Sequence, residues 1–189
     1  MNVLHLVQHF KIGGLEKMAV TLMQKSRFAD TSIIVSLEGT ERDAVNEWPA
    51  LSAFEQKLIS LNKAPRFELS VIKKLSEIIK KHNITVIHSH HIGPMLYASL
   101  TCLVNPSVKH VSTIHDAWYL KNFKQRVITK VLNKLTKIHW VADANVVANE
   151  FYNETAIKAD STILNGIDFQ QFIDTDDATA RIKLNLPHD

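Results

Sequence analysis

Ten histidines stand in 189 residues, and five of them (His9, His88, His90, His91 and His115) fall at the ends of apolar, β-rich runs. His88 and His90 are two apart in Val86-Ile87-His88-Ser89-His90-His91, so on an extended backbone their rings face the same way. That spacing suits metal ligands, and with His115 and Asp116 near it a Zn²⁺ site is one reading. No convincing carboxylate ligands accompany the cluster. The expectation is therefore that no metal is bound, and that the rings hydrogen-bond a substrate or fill polar gaps. His115 closes Val111-Ser112-Thr113-Ile114-His115-Asp116, where an imidazole titrating near neutrality can donate to a substrate hydroxyl or move a proton. A capping or otherwise satisfied ring is the plainer alternative. No serine or cysteine stands in a recognisable nucleophile setting.

A second set is Gly13-Gly14, between the apolar run Val3–Val7 and a stretch in which Leu15, Met18, Ala19, Leu22 and Met23 recur at helical spacing. Two glycines allow a tight turn and a close backbone approach. The N–H groups that open the following helix suit a phosphate or another anion. The loop is neither GxGxxG nor a Walker motif, so a plain strand-to-helix turn explains it equally well.

These residues need elements to hold them. Strand-like runs at Val3–Val7, Thr31–Leu37, Lys57–Leu61, Ile84–His88, Val108–His115, Asn145–Ala148 and Ser161–Leu164 alternate with helical patterns. Among the helices, Phe67–His82 turns Val71, Ile72, Leu75, Ile78 and Ile79 inward, and Pro94–Val104 and Tyr119–Ile138 follow. A short helix is expected around Trp48-Pro49, Asn149 is expected to cap a helix running to Ile157, and Asp168 one starting at Phe169. The alternation predicts an α/β fold, an open, mostly parallel sheet with helices on both faces. In such sheets ligands bind at the carboxyl ends of the strands, where Gly13-Gly14, His88–His91 and His115-Asp116 should gather.

At 46% hydrophobic and 22% charged the chain is an ordinary globular sequence, which excludes disorder. A formal charge of +3 gives no reason to expect nucleic acid. Cys102 is the only cysteine, which excludes an internal disulfide and reads as a buried thiol. No secretory leader precedes Val3 and no apolar run nears the ~20 residues that span a bilayer, so a cytoplasmic location is expected. Leu120 to Ile138 carries Lys121, Lys124, Arg126, Lys130, Lys134 and Lys137 with no acidic residue. Such a run is usually a solvated face, yet it can also rest on anionic lipid. With Phe123, Val127, Ile128, Val131, Leu132 and Leu135 expected on its core side, any inner-membrane contact of residues 120–138 should be peripheral.

Four motifs in order, Ile12-Gly13-Gly14-Leu15-Glu16, Val86–His91, Ser112–Asp116 and Ile163-Leu164-Asn165-Gly166-Ile167-Asp168-Phe169, resemble the N-terminal half of glycosyltransferase family 4. Asn165–Asp168 followed by Phe172 is the strongest piece, and Asp116 stands where the family often has glycine. The resemblance implies a Rossmann-like domain forming one half of a GT-B fold. It implies a retaining transferase that moves a sugar from a nucleotide-sugar donor to a glycan or lipid-linked acceptor, in polysaccharide, lipopolysaccharide or capsule biosynthesis. By resemblance Gly13 and Gly14 approach the donor diphosphate, His115 sits by the transferred sugar as the catalytic residue, and His9, His88, His90 and His91 line the acceptor side. Asn165, Gly166 and Asp168 are then structural, and neither metal nor other cofactor is required. Full members are about twice this length. Residues 1–189 are thus expected to be a single acceptor-binding domain lacking its donor-binding partner, and to be inactive alone. A metal-dependent hydrolase built on His88, His90, His115 and Asp116, or a non-catalytic binding module, are the alternatives.

Overall fold

The computed structural model describes residues 1–166 and 176–187. Seven strands, β1 (Val3–Val7), β2 (Ser32–Ser36), β3 (Leu58–Ser60), β4 (Val86–His90), β5 (Lys109–Ile114), β6 (His139–Ala142) and β7 (Ser161–Thr162), form one sheet. Their order is β3-β2-β1-β4-β5-β6-β7, and every pairing is parallel. The helices are α1 (Gly14–Lys25), α2 (Glu41–Glu47), α3 (Ser70–Lys81), α4 (Ile92–Val104), α5 (Phe123–Thr136), α6 (Asn145–Thr155) and α7 (Asp177–Lys183). The expected open α/β sheet is present. The chain winds outward from β1 on one side and from β4 on the other, which opens a crevice between their carboxyl ends.

Period-two alternation sends Leu4 and Leu6 of β1, Ile33 and Val35 of β2 and Ile87 of β4 to one face. Val71, Leu75 and Ile79 of α3 and Tyr97, Ala98 and Cys102 of α4 cover it. Burial pushes the Cys102 thiol up to about 12, as an inert thiol requires. On the opposite face Val7 and Ile34 pack on Ala19, Val20 and Met23 of α1. A third cluster joins Ile114, Trp140 and Ala142 to Met95, Leu132 and Phe151.

Several expected boundaries moved, each for a local reason. The strand expected at Asn145–Ala148 is the first turn of α6, because Val147 and Phe151, four apart, share the buried side of one helix. Asn149 therefore lies inside α6 and caps nothing. The preceding strand is β6, whose Trp140, Val141 and Ala142 are all buried. The helix expected over Tyr119–Ile138 is two pieces, since the Asn122 side chain accepts from the N–H groups of Lys124 and Gln125 and starts α5 afresh. Its apolar side is not in the core: Phe123 is 69% exposed, Val131 49% and Leu135 59%, while Leu132 packs inward. The helix expected around Trp48-Pro49 ends at Trp48, with a 3-10 segment after it. Strand β4 begins two residues late and takes in Ser89 and His90. Asp168 and the helix start at Phe169 lie outside the described residues.

Among the described residues no helix is long and apolar enough to cross a membrane. Leu75 is fully buried at the α3–sheet contact. Leu75→Ala is expected to cost roughly 2–5 kcal/mol of unfolding free energy, measured as a lower urea midpoint at unchanged slope.

Candidate functional site

Strand register builds the site. Parallel pairing sets His5 beside His88 and His90 beside Thr113, and the two-residue repeat places His90 on the same face as His88. The rings form a row: His5–His88 centroids are 5.3 Å apart, His88–His90 4.2 Å and His90–His115 5.7 Å. Thr113 Oγ1 lies 2.7 Å from His88 Nε2. His90 Nδ1 lies 3.4 Å from His115 Nε2, and His115 Nδ1 3.2 Å from Asp143 Oδ2. Asn165 Nδ2 donates to that same oxygen at 3.2 Å, which ties the Asn165-Gly166 motif to the row.

Burial keeps the row neutral. Loss of hydration, which favours the uncharged ring, lowers His5 to about 4 and holds His88 and His90 well below the ordinary range. The neighbouring rings push His88 and His90 down further. His115 is also lowered by burial, partly opposed by Asp143 through charge and hydrogen bond. His110, on the other face of β5, is lowered to about 3 by burial and hydrogen-bonds Ser89 at 2.8 Å and Ser99 at 3.3 Å.

A cavity of about 710 Å³ lies against this face, bordered by Gly14, Met18, His88, Thr113, Asn165 and Gly166 among others. Gly13 is extended, and Gly39 is the only glycine at positive φ among the described residues, so the Gly13-Gly14 turn does not depend on a left-handed backbone. A Cβ on Gly13 would instead strike the Glu16 carboxylate, whereas nothing lies within 4 Å of the Cβ position on Gly14. Gly14 thus leaves its helix start bare toward the cavity. Glu16, itself buried in the first turn, already places a negative charge beside that helix end.

The expected residues do not all share one wall. His9 pairs with Glu16 (Nδ1–Oε1 3.3 Å) and borders a separate cavity of about 520 Å³ with Glu38 and Lys63. His91 begins α4 at φ +80°, ψ 166°, a conformation that strains a side-chain-bearing residue. Burial lowers its pKa, against the opposing pull of Asp116 and Glu16. The four residues of the alternative hydrolase reading, His88, His90, His115 and Asp116, do not form one ligand group among the described residues, since the ring nitrogens that cluster belong to His5, His88 and His90. Two contributors were missed. His5 is hidden inside an apolar run, and only its register against His88 discloses it. Asp143 follows β6, the strand not recognised, although a strand end in a parallel sheet is where such a carboxylate belongs.

The family model for glycosyltransferase family 4 matches residues 12–171. The chain belongs to glycosyltransferase family 4. Comparison with curated protein sequences returns no match. A crystal structure of Anabaena Alr3699/HepE in complex with UDP superposes with TM-score 0.75 at 16% identity, over 98% of this chain and 50% of that one. A glycosyltransferase from Rickettsia africae ESF-5 superposes with TM-score 0.75 at 22% identity, over 100% and 50%. A UDP-GlcNAc 2-epimerase from Neisseria meningitidis bound to UDP-GlcNAc follows at 0.55 and 20% identity, over 87% and 46%. The chain therefore spans about half the length of the solved structures it matches, with the fold of one half of a GT-B enzyme.

In this family 4 chain the neutral histidines make stability acid-sensitive, and His110 shows the sign. Above pH 6.5 its ring is neutral folded and unfolded, so stability is fully present. Below 6.5 the unfolded ring takes up a proton that the folded ring refuses down to about 3. By pH 4 this one group is expected to remove about 3 kcal/mol. Urea unfolding at pH 7 and pH 4 measures it, and His110→Gln should flatten that part of the slope.

Proposed function

We propose that this chain is the acceptor-side domain of a retaining, metal-independent glycosyltransferase. It would move a hexose from a nucleotide-sugar to a glycan or lipid-linked acceptor at the cytoplasmic face of a membrane, in polysaccharide, lipopolysaccharide or capsule assembly. Family membership supports the transfer, and UDP and UDP-GlcNAc in two structural neighbours support the donor class. One observation carries the reading. The bare helix start at Gly14, the His88–Thr113 pair and the Asn165-Gly166 motif border a single cavity, and His115 is joined to it through Asp143 and Asn165.

In this reading the acceptor hydroxyl oxygen bonds to the anomeric carbon as the bond from that carbon to the diphosphate oxygen breaks on the same face, and the hydroxyl proton passes to the departing oxygen. The N–H groups at Gly14 and basic groups of a second, donor-binding domain stabilise the leaving charge. Closure of the two domains excludes water, which would otherwise hydrolyse the donor. His115, oriented by Asp143, presents its ring beside the transferred sugar. His88 borders the acceptor approach with His90 buried behind it, and His91 and His9, the latter beside its separate cavity, would meet only a longer acceptor.

The test is the two-domain protein assayed with several sugar nucleotides in the presence of chelator. Turnover is expected to persist there, and residues 1–189 alone to be inactive. His115→Ala should lower kcat far more than it weakens donor binding. An unchanged kcat removes His115 from the site, and a two-domain chain inert toward every donor leaves the binding-module reading.

The exposed side of α5 supports the membrane setting. Phe123, Val131 and Leu135 stand beside exposed Lys124, Lys130 and Lys134, with no acidic residue from Ala117 to Ala142. That pairing of apolar and uniformly basic surface complements an anionic lipid headgroup layer. The chain is expected to cosediment with vesicles containing phosphatidylglycerol and not with phosphatidylcholine alone. Replacing Lys130 and Lys134 by alanine should weaken binding roughly 30-fold, at roughly 1 kcal/mol for each lysine.

A further inference from the structure

The imidazole row has a feature that sugar transfer leaves unused. Ring nitrogens of His5, His88 and His90 all lie within 4.8 Å of one another. His5 Nδ1 and His90 Nε2 are sealed from solvent without a hydrogen-bond partner. A buried polar nitrogen left in that state is destabilising, and a ligand that takes its lone pair removes the penalty.

The hydrogen bonds fix which of these nitrogens carries a proton. Asp143 Oδ2 already accepts from the amide of Asn165, so it acts as an acceptor toward His115, and His115 Nδ1–H donates to it. With the His115 proton on Nδ1, toward Asp143, its Nε2 accepts, and the partner 3.4 Å away, His90 Nδ1, donates. In a neutral ring that leaves His90 Nε2 as an unprotonated lone pair. That nitrogen is buried and meets no hydrogen-bond donor.

We propose that His5, His88 and His90 bind one divalent transition-metal ion of the zinc class. Three neutral imidazoles with no carboxylate match Zn²⁺ and its neighbours, whereas Mg²⁺ and Ca²⁺ take oxygen ligands. The outer contacts suit it as well. The His115–Asp143 chain hydrogen-bonds Nδ1 of His90, and Thr113 hydrogen-bonds His88, contacts of the kind that orient metal-binding imidazoles. Entry is from the cavity, which His88 borders. The transfer proposed above takes no step through the ion. His88, His90 and His115 serve in both readings, so the titration below reads metal binding by itself, apart from turnover.

The experiment uses residues 1–189, stripped with chelator and titrated with Co²⁺ as an optical probe, then with Zn²⁺ in competition. One equivalent of Co²⁺ should give an intense visible band that Zn²⁺ displaces. His5→Leu should abolish the band, and His115→Ala should weaken binding about 10–100-fold through its outer contact. His9→Gln with His91→Gln should leave the band intact. Ring ¹⁵N spectra of the wild-type chain need no variant: Zn²⁺ must shift His5, His88 and His90 and leave His139 unmoved. A titration with no band at one equivalent, a band that survives His5→Leu, or shifts confined to His9 and His91 would each overturn the site.

Discussion

Strand β4 is held on both edges, by β1 and by β5, and that double pairing governs everything of interest in the molecule. It fixes the phase of Val86–His90, so that Ile87 enters the apolar layer under α3 and α4 while His88 and His90 lie on the opposite face, His88 at the cavity border. A slip of one residue would exchange the two sets. Imidazoles would then meet Leu75 and Ile79, and Ile87 would face the cavity. The burial of Leu4, Leu6 and Ile87 beneath α3 is thus what keeps the histidines on the functional face.

The same face shows why the histidines are so uniform in charge state. A charged ring in this row would sit beside other rings with little water to stabilise it, so neutrality is imposed by the fold. Neutral rings can serve as donor and acceptor at once, and the line from Asn165 through Asp143 and His115 to His90 uses both capacities. Asp143 holds His115 from the end of β6, a strand outside the four family motifs. A strand of four residues thus helps to position the imidazole row.

Helix α5 illustrates a different balance. Its sequence has an amphipathic period, yet the space beneath it is already filled by Met95, Trp140 and Phe151, so Leu132 enters the cluster while Phe123 and Leu135 stay outside. Arg126 reaches Glu154 of α6 at 2.8 Å and anchors the helix laterally. The apolar period therefore marks a surface as much as a core.

Residue patterns alone settled the class of fold and the sheet edge at which Gly14 and His88 meet. Apolar runs alternating with 3.6-residue periods admit few arrangements other than a parallel sheet with helices, and strand ends follow from that. They also exposed His88, His90, His91 and His115, because these residues interrupt or end apolar runs. What needed the folded chain were relations between distant segments. His5 joins the row through register across eighty residues of sequence, and Asp143 through a strand too short to show a period. Whether the apolar side of α5 is covered depends on the volume its neighbours already occupy. None of these is a property of a local stretch, since pairing partner, register and filled volume exist only once the segments are side by side.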